Sequence, residues 1–329
     1  MCDQWRTVSL GFGDFFFLDI LEWSGVNGSC VWDAWEDESS EDDIDELWRE
    51  RRQYTMYVRA DHLNKWDDID FFRRFRLQKE TVVKLLNMVY GQLENATDRS
   101  RNIKPMGKLL IALRFYALGS MLVSVGDFAG VCKSTVSVIV ARVSEVIASL
   151  RSEFIKMPQT EAELVRASVD FFNIARFPRA IGAIDCSHLE RGDFGRYILV
   201  ADSGYAVTGY MATSLLRCNT RVEEIYNESI IRTRNVVERQ FGVWKRRFPV
   251  LSLQMRLKLS TIQDVIVATA VLHNIAVGFN DQMPPDEMPP DDIEHQEQSE
   301  IARIQPDGEN NVRTVLIKDY FTALCGNNN

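Results

Sequence analysis

Arg179-Ala-Ile-Gly-Ala-Ile-Asp185-Cys-Ser-His188, a short polar segment and Tyr197-Ile-Leu-Val-Ala-Asp202-Ser-Gly-Tyr205 form the stretch that decides the fold. Each half is an apolar run of strand length that ends in an aspartate. Downstream, Arg232-Thr-Arg-Asn-Val-Val-Glu238-Arg-Gln-Phe-Gly sets a lone glutamate on an otherwise basic helix. Aspartates that close apolar strands sit at a sheet edge, where side chains converge on a cleft. Mg²⁺ or Mn²⁺ takes oxygen ligands and keeps waters, so two or three carboxylates suffice for a phosphate-bearing substrate. Two ions about 3.5–4 Å apart would activate a water and stabilise the leaving oxygen. Asp185, Asp202 and Glu238 are therefore the candidate catalytic and metal-binding residues, with Arg234 and Arg239 flanking the scissile phosphate.

Each of these residues also has a plain structural role open to it. Asp185 and Asp202 suit turns or helix caps, beside Ser187 and Ser203-Gly204. Glu238 stands four residues from Arg234, the spacing of an intrahelical ion pair. His188 reads as a hydrogen-bonded structural side chain.

Outward from this stretch the chain reads as helices. Residues 77–91 carry Val82, Leu85, Leu86 and Val89 at helical spacing. Pro105 opens a helix with Leu109, Leu110, Leu113 and Ala117 inward, and Gly119 stops it. A short helix over Val125–Ala129, capped by Ser124, a tight turn at Gly130-Val-Cys-Lys133, and a longer helix capped by Ser134 follow. Val136, Val140, Val143 and Ile147 face one side of the longer helix. This order over about 105–150 is the helix-turn-helix pattern. In that geometry Lys133, Ser134, Thr135, Ser137 and Arg142 would meet DNA, whereas a plain helical subdomain has the same pattern. Residues 160–176 form another helix. A loop runs from Tyr205 to about Tyr226. A helix over Ser229–Phe248 carries Val237, Phe241, Trp244 and Phe248 as one stripe, and a last buried helix covers Ile262–Val277. Val315–Phe321 reads as a short docking helix.

The net charge of −9 over 329 residues hides an uneven distribution. Residues 1–50 carry −12 and residues 281–310 carry −9, which leaves +12 for the body. Between 230 and 258 there are eight bases and one acid; Arg232, Arg234, Arg239, Lys245, Arg246 and Arg247 are the candidate DNA contacts there. Six scattered cysteines without a CxxC pair, and four histidines, speak against zinc and for a reducing compartment. Neither a signal peptide nor a membrane span is expected.

These residues resemble the nucleases derived from PIF/Harbinger DNA transposases. The likeness runs from about Asp70 to Asn280, through Phe72–Val82, Gly119–Ile139, Gly182–His188, Asp202–Tyr205, Tyr226–Phe248 and Val271–Ala276. The resemblance implies an RNase H-like DDE domain, a divalent-metal nuclease with Asp185, Asp202 and Glu238 on the ions, and a nuclear and cytoplasmic location. It also implies a Myb/SANT-type protein partner. One departure is large. The family carries a further aspartate in a Trp-Pro-Gly-Ser-x-x-Asp stretch, and only Leu189–Tyr197 stands in its place, with Asp193 in the shortened loop. Two strands, a turn and a helix need roughly 30 residues. Asp185 and Asp202 are too close in sequence for them.

The expected architecture is mixed α/β: a helical helix-turn-helix region followed by a truncated RNase H-like DDE domain. Residues 1–55 are an acidic, poorly ordered segment with a short helix near Ile44–Arg52. Residues 56–155 are the helical region, 156–280 the nuclease domain lacking a segment near 189–197, 281–310 an acidic Pro-rich linker and 311–329 a tail. The expected function is metal-dependent DNA hydrolysis, impaired by the internal deletion. Two alternatives stand beside it: a catalytically inactive DNA- or protein-binding derivative, and a transcript with further codons between Leu189 and Tyr197.

Overall fold

The computed structural model describes residues 60–94, 102–119, 121–184, 195–203, 205, 207–281 and 312–326. The expectations for residues 1–55, for Asp185, His188 and Asp193, and for most of the acidic linker lie outside them. The chain is mixed α/β. In order come α1 (His62–Lys65), α2 (Asp68–Phe75), α3 (Lys79–Leu93), α4 (Pro105–Leu118), α5 (Leu122–Ala129), α6 (Lys133–Ala148), α7 (Arg151–Phe154) and α8 (Glu161–Ala175). Strands β1 (Ala180–Ala183), β2 (Ile198–Ala201) and β3 (Met211–Thr213) precede a long α9 (Arg221–Arg247). A 3-10 turn (Pro249–Ser252) and α10 (Leu259–Gly278) follow. The last described stretch is α11 (Val312–Leu316), a π-helical turn (Ile317–Phe321) and α12 (Thr322–Gly326). Two compact units form. Among the described residues, one is helical and takes 60–151 together with Lys245–Asp281; the other takes Ser152–Trp244 and the C-terminal segment.

In the helical unit the apolar periodicity holds. Val82, Leu85 and Val89 of α3, Leu109, Leu110, Leu113 and Ala117 of α4, and Val136, Val140, Val143 and Ile147 of α6 are all buried. Pro105 opens α4, and Gly119 ends it in the left-handed conformation with φ 60°. The cap assignments need correction. α5 starts at Leu122 and α6 at Lys133, with Met121 and Cys132 as backbone caps and no capping side chain. The Ser124 amide already donates to the Met121 carbonyl at 3.0 Å, one turn inside the helix. The Ser134 hydroxyl instead lies 3.2 Å from Cys132 Sγ.

α5 and α6 meet at 98° across a turn in which Gly130 has φ 65°. The Val131 amide donates to the Gly126 carbonyl at 2.9 Å. A Cβ on Gly126 would lie 2.5 Å from the Val131 oxygen, so this close approach requires glycine.

The domain boundary also differs from the expected 156–280, because the chain rejoins the helical unit at Lys245. α10 packs chiefly on α6. It is apolar on nearly all sides, and a helix of that kind lowers its free energy only when surrounded. α10 is also the one described helix long and apolar enough to cross a membrane, yet most of it is buried here.

His273 of α10 is buried, and neither ring nitrogen has a hydrogen-bond partner among the described residues. Burial first, then the Arg247 charge, pushes its imidazole from an ordinary 6.5 down to about 3. A depressed folded value means stability is complete above the unfolded value and is lost as pH falls from about 6.5 towards 3, by ~1.4 kcal/mol per pH unit. The urea midpoint should therefore drop between pH 7 and pH 5, and His273→Leu should flatten that dependence.

The second unit is built on a parallel sheet of order β1-β2-β3. Ala183 pairs with Val200, and Val200 with Ala212. Every strand residue is buried, as expected of parallel strands covered on both faces. Ala180, Ile198, Val200 and Ala212 pack with Tyr226, Ile230, Val236 and Val237 of α9. Ile181, Leu199, Ala201 and Met211 pack with Ala167 of α8. A bulge between Ala180 and Gly182 shifts the register within β1.

β3 lies in a stretch expected to be loop. Three residues are below the length at which periodicity shows. The short return from β2 is feasible because strands of four and three residues span only about 13 and 10 Å. α9 begins eight residues before the expected Ser229. Its start signal was present as Thr220-Arg-Val-Glu223, a capping box in which the Glu223 amide donates to Thr220 Oγ1 and Glu223 Oε2 accepts from the Thr220 amide. Among the described residues β1 pairs only with β2 and lies at the sheet edge. The C-terminal segment, expected as a separate tail, joins this core: Val312, Leu316 and Phe321 are buried against Phe177 and Tyr226. Its Arg313 Nη1 lies 3.3 Å from the Ser214 carbonyl.

Candidate metal and nucleic-acid site

β1 and β2 run parallel, so their C-terminal ends fall on the same edge of the sheet. Asp202 directly follows β2 at that edge. Its Oδ1 accepts from the Ser203 amide at 2.7 Å, and its carbonyl accepts from the Tyr205 amide at 3.1 Å. The aspartate thus forms the turn that a plain structural reading assigns to it.

α9 supplies the opposing groups. Its N-terminal half is fixed by side chains. Tyr226 donates its hydroxyl to the Thr213 carbonyl at 2.8 Å. Asn227 grips both the amide and the carbonyl of Leu215, at 2.7 and 2.8 Å. Val236 and Val237 are buried. Glu238, next in the helix, is half-buried and turns to the same place as Asp202.

The meeting point is Arg234. Its Nη1 lies 2.8 Å from Glu238 Oε1 and 3.9 Å from Asp202 Oδ1. The guanidinium is the most buried of the three side chains, at 21% exposure against 34% for Glu238 and 48% for Asp202. The helical spacing therefore produces the intrahelical Arg234–Glu238 pair, and the strand end adds a second carboxylate to it. A divalent cation wants hard oxygen donors and negative charge. Two carboxylates already gathered around a positive group fit such an ion in kind. No third Asp, Glu, His or Cys joins them among the described residues.

The candidate DNA contacts divide. Arg232 and Arg239 are on the exposed side of α9, with Arg232 Nη1 3.4 Å from Glu228. Lys245 is exposed and Arg246 half-buried. Arg247 is a correction: it is 2% exposed and holds the helical unit together, so it has no surface to offer a phosphate. At the start of α6, Lys133, Ser134 and Arg142 are exposed, while Thr135 and Ser137 are half-buried. Arg142 is paired with Glu145 at 2.8 Å.

Cys132 was not singled out from the sequence. Its Sγ lies 3.2 Å from Ser134 Oγ and 3.0 Å from Thr135 Oγ1. These hydroxyls, Ser134 first, bring the exposed thiol from 9.0 down to about 7. The thiolate forms as pH rises, so iodoacetamide should modify Cys132 half-maximally near pH 7. Double substitution of Ser134 and Thr135 by Ala should move that midpoint upward. The signal was a cysteine at a helix cap followed by hydroxyl residues.

Residues 182–274 match the family of DDE superfamily endonucleases. That class takes in both strand ends, the Arg234 cluster and most of α10. Over 128 residues the chain is 32% identical to Putative nuclease HARBI1 of the rat, 31% to the cattle protein and 30% to the human one. The match covers 38% of this chain and 37% of each relative, so the chain spans little more than a third of the length of the curated relatives it matches. The resemblance to Harbinger-derived nucleases is borne out over this stretch. No solved structure matches significantly.

Proposed function

We propose that the second unit is the remnant of an RNase H-like nuclease domain that hydrolyses DNA phosphodiester bonds with divalent metal. The observation that carries this reading is the convergence of Asp202, from a strand end, and Glu238, from mid-helix, on one cationic position. Asp202 and Glu238 would hold the ion, and Asp185, two residues beyond the end of β1 in sequence, would be the third ligand. Bound there, the metal would supply an activated water and charge neutralisation at the phosphate. Arg239 lies on the exposed side of α9 and would bind the DNA backbone beside it. Mg²⁺ or Mn²⁺ fits the oxygen donor set.

The α5–turn–α6 pair would act as a helix-turn-helix, with Lys133, Ser134, Thr135 and Ser137 at the N-terminal end of the reading helix and Arg142 further along. By the resemblance, a Myb/SANT-type protein would assist DNA binding, and the protein would occupy nucleus and cytoplasm.

A second reading has its own observation. Only fourteen residues join β1 to β2. That barely exceeds the dozen that a parallel crossover needs, with no room for an added hairpin. A DNA-binding protein that no longer cleaves fits this shortening. Nicking of supercoiled plasmid by the full chain, with Mg²⁺ or Mn²⁺ and with chelator, separates the two. Nicking that needs metal supports the nuclease. DNA binding that weakens steeply with salt, without nicking at any metal concentration, supports the binder.

A further inference from the structure

We propose that Arg234 is a built-in counter-cation of the carboxylate pair, holding Asp202 and Glu238 together when metal is absent and competing with the metal for them. This rests on the reading of the pair as a metal site. The geometry is specific. One nitrogen, Nη1, lies 2.8 Å from Glu238 and 3.9 Å from Asp202, and these carboxylates come from a helix and from a strand end. Two carboxylates brought together repel unless a positive charge lies between them. In this chain that charge belongs to Arg234.

A divalent ion drawing on both carboxylates would meet the guanidinium at the same oxygens. The two cations cannot both lie between the carboxylates, so binding requires Arg234 to swing aside. The swing is feasible. The Arg234 side chain is only partly buried, and the Asp202 contact at 3.9 Å is a charge contact rather than a hydrogen bond. Ion pairs this exposed are weak. Arg234 therefore tunes metal affinity without blocking the site, and its place on α9 keeps it beside the metal once displaced. Arg234 is a positioning residue in this scheme.

The test is Mn²⁺ binding to the full chain, followed by the electron paramagnetic resonance signal of free Mn²⁺. The acidic segments at 1–50 and 281–310 will also take up metal, so the quantity read is the site lost in Glu238→Gln. Arg234→Gln keeps a polar side chain without the charge and should bind Mn²⁺ roughly tenfold more tightly at that site. Arg234→Lys restores a charge and should return affinity towards the wild-type value, which a purely structural role for Arg234 would not do. Unchanged far-ultraviolet circular dichroism identifies variants that remain folded. If Arg234→Gln binds with wild-type or lower affinity at a Glu238-dependent site, the competition is overturned while the metal site stands. If no Glu238-dependent site exists in any of these proteins, the metal reading and the competition fall together.

Discussion

Glu238→Gln should reduce metal-dependent nicking by roughly 10²–10³-fold or more, the scale on which an enzyme loses one group that stabilises charge in the transition state. Glutamine keeps the length of the side chain and its place beside Val237, so α9 should fold as before. It removes one negative charge from a donor pair that has only two among the described residues. The side chain faces Arg234 rather than the exposed arginines of α9, so DNA binding measured by anisotropy should change by less than about twofold. Asp202→Asn should lower nicking similarly with little structural cost, because the asparagine Oδ1 can still accept from the Ser203 amide. Nicking that persists undiminished in Glu238→Gln would place the chemistry elsewhere or in a contaminant.

Asp281→Ala should destabilise the helical unit by about 3–5 kcal/mol, the usual cost of removing one partner from a buried ion pair. Asp281 is fully buried and Arg247 nearly so. Arg247 Nη2 donates to the Asp281 carbonyl at 2.6 Å and Nη1 to the Arg76 carbonyl at 3.1 Å. Asp281 Oδ2 accepts from the Gln78 amide at 2.7 Å. Its Oδ1 stands 3.7 Å from Arg247 Nη1, a charge contact without a hydrogen bond. The cluster ties the returning segment 245–281 to the residues before α3.

Burial is the largest influence on both charges. It raises the Asp281 carboxyl above its ordinary value and lowers the Arg247 guanidinium to about 10. Desolvation thus offsets much of the attraction, and the pair adds little beyond what two apolar side chains would. The consequence is asymmetric. Alanine at 281 strands a buried charge and the Gln78 amide. The double change Arg247→Met, Asp281→Leu removes both charges and should recover part of the loss, the Gln78 amide remaining unpaired. Urea unfolding of the full chain followed at a helical signal measures both, in the transition that belongs to this unit. An unchanged midpoint in Asp281→Ala would refute the assignment.

Much of the fold was legible in the chain. Helical periodicity located α3, α4 and α6 because each buries a stripe of several apolar residues. Runs closed by Asp185 and Asp202 located β1 and β2. Glu238 stood out as a lone acid among bases. β3, by contrast, is too short to show a period. The caps of α5 and α6 were misplaced because serines near a helix start can lie inside the first turn, as Ser124 does. Arg247 looked like its neighbours Lys245 and Arg246, since a basic run does not say which member faces inward.

The sequence by itself determined most of the helices, two of the three described strands, and that one carboxylate closes a strand while another interrupts a basic helix. These follow from local spacing and side-chain chemistry. Only the tertiary structure decided that β1, β2 and β3 are parallel, that 245–281 returns to the helical unit, and that 312–326 completes the core of the other. It alone gave one guanidinium to both Asp202 and Glu238. Contacts between segments far apart in sequence depend on the three-dimensional path of the backbone. Local spacing carries no record of that path.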